Sequence, residues 1–171
     1  MNQIETLLQQ TKNTYGYVNK LLAVIPPEEW EVMPDVVNTT VSWQAGHLLI
    51  SFYFNTIMIV KGHQMDVLQQ MPMKEYSNLY TRAGAAEAIG RVPVAQLQEH
   101  MAIMQQKSIA ALEVLDEQEL AGPPVPGIPH PVAHNIGEAL EWNIQHTMWH
   151  CGQIGLLSRV LGRPYSFGLT Y

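Results

Sequence analysis

Apolar residues recur at three- and four-residue steps in four stretches of this chain, and each stretch predicts a helix. The first covers 3–25, where Ile4, Leu7, Leu8, Thr11, Tyr15, Val18, Leu21, Leu22 and Ile25 share one face until Pro26-Pro27 ends it. A short irregular link follows at 28–39, with Glu28 and Glu29 placed to start a helical turn. The second helix begins near Thr40–Ser42 and runs to about Lys61, where Gly62 stops it. It is apolar nearly all round, the pattern of a helix buried on several sides. Pro93 opens the third at a first-turn position. Its stripe of Val94, Leu97, Met101, Met104, Ser108, Ala111 and Leu115 has one polar break, at Ser108. The fourth starts at Asn135, with Glu138 three residues on as a capping-box variant, and ends at Leu161 before Gly162 and Pro164.

The links are as informative as the helices. Residues 62–92 lack sustained periodicity and contain Gly62, Pro72, Gly84 and Gly90, which predicts a long crossover, a functional loop, or both. The segment 121–135 holds five prolines and two glycines and cannot be helical. Aromatics in the tail 163–171 are expected to fold back on the helices. The resulting expectation is one all-α domain over 1–171, a four-helix bundle. The short first link makes helices one and two antiparallel, and the long second link permits an up-down-down-up arrangement. Under that topology the start of the second helix meets the middle of the fourth.

Composition narrows the function. The 171 residues are 47% hydrophobic, enough for a sizeable core, and nine methionines suggest a pliant interior. Fifteen acidic residues against nine basic ones give a net charge of −6, and the cations form no run or stripe. Phosphate backbones need clustered cations, so nucleic acid is not an expected partner. The N-terminal segment lacks a basic region and an apolar core of signal-peptide type. The longest apolar stretch, 48–60, is interrupted by Ser51, Asn55 and Thr56 and is too short to span a bilayer. Cys151, the one cysteine, suits a reducing compartment. A soluble cytoplasmic protein without a membrane partner is expected.

The candidate chemistry lies in 142-WNIQHTMWHCGQI-154. His146 and His150 are four apart, so on a helix they stand on one face a turn apart, and two imidazole nitrogens so placed can share a metal. A third ligand is needed, and His47 in the second helix is the candidate. Ala139, Trp142, Asn143, Gln153 and Leu157 share the histidine face, while Trp43, Gln44, Ile50, Ser51 and Phe54 neighbour His47. This pattern suits a few polar groups walled by aromatics. A histidine pair at this spacing also arises by chance, and a lone histidine is commonly a hydrogen-bonded core residue, so satisfied histidines remain an open alternative. Other motifs are excluded: there is no H-E-x-x-H, no glutamate followed three residues on by histidine, and no C-x-x-C.

The remaining polar residues carry weaker signals. Gln153 could orient a bound water or hydrogen-bond across the bundle. His130 and His134 could rim the site or supply a fourth ligand, although exposed loop positions are the commoner role. Cys151 lies about 100° round from His150 and reads as core thiol, not nucleophile. Glu138 and Glu141 read as first-turn residues complementing the helix dipole. His63 and His100 read as surface or packing residues, and Trp43, Trp142 and Trp149 as core first and site walls second.

The pattern W-x-x-G-H at 43–47, then H-x-x-x-H-x-G-Q-I at 146–154 and L-G-x-P at 161–164, resembles the DinB/YfiT-like superfamily of metal-dependent enzymes. The resemblance implies an up-down-down-up four-helix bundle and one divalent metal held by His47, His146 and His150. Many members carry Glu where this chain has Thr147. It implies a small-molecule substrate, with a low-molecular-weight thiol used by transferases and isomerases of the family and water by its hydrolases, and a homodimer. Three neutral imidazoles accept zinc or nickel first, and iron, manganese or cobalt as well. They leave a coordination position open, as catalytic sites do. The competing expectations are a metal- or small-ligand-binding module without turnover, and a purely structural bundle that binds no metal.

Overall fold

The computed structural model describes residues 2–168, which are helical wherever they are regular, with no strand among them. Helix α1 (Gln3–Ala23) begins with a capping box in which Asn2 and Glu5 each accept the other's backbone N–H. A single 3₁₀ turn at Pro27–Glu29 follows, and the Trp30 indole N–H bonds the Ile25 carbonyl. The Thr40 hydroxyl then caps α2 (Val41–Phe52) at the Trp43 N–H. The second predicted helix is not uniformly α: a π-helical segment at Tyr53–Met58 leads into the short α3 (Ile59–Lys61), and Gly62 ends it at φ +72°.

The link 62–92 departs most from expectation. It is a run of short helices, α4 (Met65–Gln70), α5 (Met73–Ser77), a π turn at Asn78–Arg82 and α6 (Ala85–Ala88). Val67, Met71, Tyr76 and Tyr80 from this run are fully buried. Each piece is a turn or two long, too short for a 3.6-residue period to register, so the segment reads as irregular while packing as core. Helix α7 (Val94–Leu112) ends three residues earlier than its stripe predicts, and Asp116 caps an unpredicted α8 (Glu117–Ala121). Asn135 caps α9 (Ile136–Val160) as expected. Its Glu138 carboxylate accepts from the His134 backbone and the Asn135 side chain, a variant of the box.

Side-chain pairs fix how the long helices run. Lys12–Glu113, Tyr15–Ser108 and Asn19–Gln105 make α1 and α7 antiparallel. Gln44–Gln153 and Ser51–His146 make α2 and α9 antiparallel. Thr56 of the π segment meets Ser108 of α7, and Ile59 and Leu112 belong to one apolar cluster. Tyr165 in the tail packs on the core, whereas Phe167 is 60% exposed and Tyr171 lies outside the described residues. Trp149, expected in the core, is 59% exposed, because its step along α9 carries it off the packed face. No helix among the described residues is long and apolar enough to cross a membrane.

Candidate metal centre

The structure brings the three predicted histidines together. His47 comes from the second turn of α2, and His146 and His150 from the middle of α9. Their Nε2 atoms converge: His146 Nε2 lies 3.3 Å from His47 Nε2 and 3.2 Å from His150 Nε2. Nitrogens about 2.0–2.1 Å from a tetrahedral ion sit about 3.4 Å from one another, which the two distances at His146 match, and the three ligand atoms all lie within 4.8 Å of one another. The donor set is neutral imidazole, which suits a borderline transition metal better than calcium or magnesium.

Each ring is held by its other nitrogen, as ligating histidines are. His47 Nδ1–H donates to the Tyr80 carbonyl at 2.7 Å. His150 Nδ1–H donates to Gln44 Oε1 at 2.5 Å, and the Gln44 amide nitrogen in turn donates to Thr39 Oγ1 and Gln153 Oε1, both at 2.9 Å. His146 Nδ1 faces the Ser51 hydroxyl at 3.0 Å. Trp43 stacks on His47 with centroids 5.1 Å apart, and Trp142 on His146 at 6.0 Å. The Trp43 indole N–H is tied to the Ala83 carbonyl at 3.1 Å.

Burial favours the uncharged rings that a metal needs. It lowers the His47 pKa, pushes His146 down to about 4 and His150 down to about 3, the neighbouring imidazoles adding repulsion in the last two. All three are therefore neutral at pH 7, and no net proton need be lost from the rings for a cation to be held.

Other predicted residues fall in place differently. Gln153 bonds across to α2 through Gln44. His134 is exposed and bonds Glu138 through its backbone N–H. His130 is half-buried, with Nε2 donating to Asn55 Oδ1 at 3.1 Å, and Asn55 Nδ2 donates to Ser51 Oγ at 2.8 Å. Thr147 is fully buried and donates to the Asn143 carbonyl at 2.6 Å. His100 is buried against the Tyr76 hydroxyl at 2.8 Å. Cys151 is buried, and burial pushes its thiol up to about 11, which makes it a poor nucleophile. A cavity of about 600 Å³ is lined by Cys151, Gly155 and Arg159 among others, not by the three histidines.

Sequence reasoning named Gln44 and Ser51 as neighbours of His47 without giving them roles, and missed Tyr80 altogether. The Gln44 role had a faint signal, an amide buried one turn before a candidate ligand. Tyr80 acts through its backbone carbonyl and had none. Gly46 is what admits it: a Cβ there would lie 2.4 Å from the Tyr80 ring, so only glycine lets Tyr80 press against α2 and present its carbonyl to His47.

The family model described as the DinB superfamily matches residues 10–154. No curated protein matches the chain.

Proposed function

The chain belongs to the DinB superfamily, and from that premise we propose that His47, His146 and His150 hold one divalent metal ion in a metal-dependent enzyme. The observation that carries this reading is the convergence of three Nε2 atoms, with His47 and His150 each donating Nδ1–H elsewhere. Lone pairs aimed at one point need a cation or a proton between them. Three protein ligands leave at least one position for a substrate atom. The pairwise helix directions support an up-down-down-up four-helix bundle, which places the site between the second and fourth long helices.

Bound there, the ion would lower the pKa of a water or a thiol at neutral pH. The chain's own contribution is to hold three neutral rings in fixed orientation and to wall them with Trp43 and Trp142. A low-molecular-weight thiol is the favoured co-substrate by family analogy, with water as the alternative. Zinc or nickel is the favoured metal, and iron, manganese or cobalt also fit the donors. The exposed side chains Tyr17, Trp149, Leu156 and Val160 on α1 and α9 support a homodimer.

A module that binds metal or a small ligand without turnover is favoured by one observation. No carboxylate among the described residues hydrogen-bonds any of the three rings. Elemental analysis of the tag-free protein tests the site: about one ion per chain is expected, and none in His146→Ala/His150→Ala. Thiol-conjugation and ester- or amide-hydrolysis panels on the loaded protein then separate enzyme from module.

A further inference from the structure

We propose that Ser51 is a positioning residue that serves both tautomers of His146, so that metal binding moves the ring proton from Nε2 to Nδ1 without stranding either nitrogen. The inference rests on the metal reading above and extends it to how the site behaves with and without its ion.

Two of the ring partners can only accept a hydrogen. The Tyr80 carbonyl takes a hydrogen from His47, and Gln44 Oε1 takes one from His150. Both rings therefore carry their proton on Nδ1 and turn a bare Nε2 inward. His146 Nε2 faces both of these lone pairs, at 3.3 and 3.2 Å. With no cation between them, three bare nitrogens at that spacing repel. One proton on His146 Nε2 relieves this, donating to either neighbour. His146 Nδ1 is then an acceptor, and the Ser51 O–H donates to it.

With a metal bound, Nε2 must be bare and Nδ1 must carry the hydrogen. Only a hydroxyl can follow that change, because it offers one hydrogen and two lone pairs. Ser51 Oγ then accepts from His146 Nδ1–H. The second lone pair is already taken. Val132 N–H donates to His130 Nδ1 at 3.2 Å, which leaves the hydrogen on His130 Nε2 for Asn55 Oδ1. That fixes the Asn55 amide with its nitrogen toward Ser51. The proline-rich segment thus holds Ser51 in place while its O–H remains free to turn. One proton leaves Nε2 to water and one arrives at Nδ1 from water, so the ring's charge is unchanged.

Long-range ¹H–¹⁵N spectra of histidine-labelled full-length protein at pH 7 read the tautomers directly. The metal-free protein should show His146 as Nε2–H and His47 and His150 as Nδ1–H. Saturating zinc should convert His146 alone to Nδ1–H. Ser51→Ala should weaken zinc binding about 10-fold, the lower end of the usual range for groups that orient ligands, since the hydrogen bond from the Nδ1–H of a metal-bound ring is the stronger of the two that are lost. His146 already Nδ1–H without metal, His47 or His150 changing tautomer on zinc addition, or parental zinc affinity in Ser51→Ala would each overturn the proposal. If zinc does not bind at all, the metal reading fails, and the proposed switch fails with it; the metal-free spectrum still decides the His146 assignment independently.

Discussion

Two polar clusters interrupt the helical core, and α9 contributes to both: His146 and His150 to one, Asn143 to the other. In the second, Tyr15 Oη meets Ser108 Oγ at 2.7 Å, Asn143 Nδ2 donates to Tyr15 at 3.3 Å, and Thr56 bridges Ser108 to the Phe52 carbonyl. Each of its hydroxyls both donates and accepts, so the cluster ties α1, the π segment, α7 and α9 together, while Asn143 Oδ1 is buried without a partner. In the histidine cluster every Nδ1 has an outer partner and every Nε2 points inward to the same place. Both clusters are largely buried and both are hydrogen-bonded. The difference is where the spare valence goes, outward into structure in one and inward toward a shared point in the other.

The strongest way to break the contrast is to remove inward-facing groups. His146→Ala/His150→Ala should take metal content from about one ion per chain to none, while Tyr15→Phe leaves it unchanged, both read by elemental analysis. Tyr15→Phe should instead lower unfolding free energy by about 1–3 kcal/mol in denaturant titration, because Ser108 and Asn143 lose a buried partner. Equal metal loss in both variants would erase the distinction.

Gly46→Ala acts from outside both clusters. The added Cβ meets the Tyr80 ring at 2.4 Å, and the ring is fully buried. Repacking should cost about 1–3 kcal/mol, and because the same residue's carbonyl holds His47, zinc affinity should fall as well. Parental affinity with lowered stability would show that the Tyr80 carbonyl does not position the ligand.

The clusters should also fail at opposite ends of the pH scale. In the metal-free protein, His146 at about 4 and His150 at about 3 lie below their unfolded value of 6.5. The unfolded chain then binds protons that the folded one refuses, so stability present above pH 6.5 declines as pH falls through that window. Tyr15 is pushed up to about 12 from 10.0 by burial, so its contribution is complete below pH 10 and declines as pH rises. Thermal melts should show the acid limb blunted in His146→Ala/His150→Ala and the alkaline limb blunted in Tyr15→Phe. The smallest effect is expected for His130→Ala, a few-fold loss of zinc affinity, since it touches the ligand only through Asn55 and Ser51.

The sequence alone determined the four long helices, the start of the second near Thr40 and the cap of the fourth at Asn135, and the trio His47, His146 and His150. Those features are carried by side-chain type at fixed spacing, so a one-dimensional pattern records them. It also exposed Ser108 as a polar break, without its partner. Trp149 misled because aromatic character says nothing about which side of a helix is covered. Only the tertiary structure decided that Tyr80 and Ala83 supply the carbonyls that hold His47 and Trp43. A backbone carbonyl is the same in every residue and leaves no mark in a sequence. Their segment, 62–92, also packs in pieces too short to show a period. The direction of each hydrogen bond around the rings was equally hidden, because a tautomer depends on what each nitrogen faces, and only folding sets those faces.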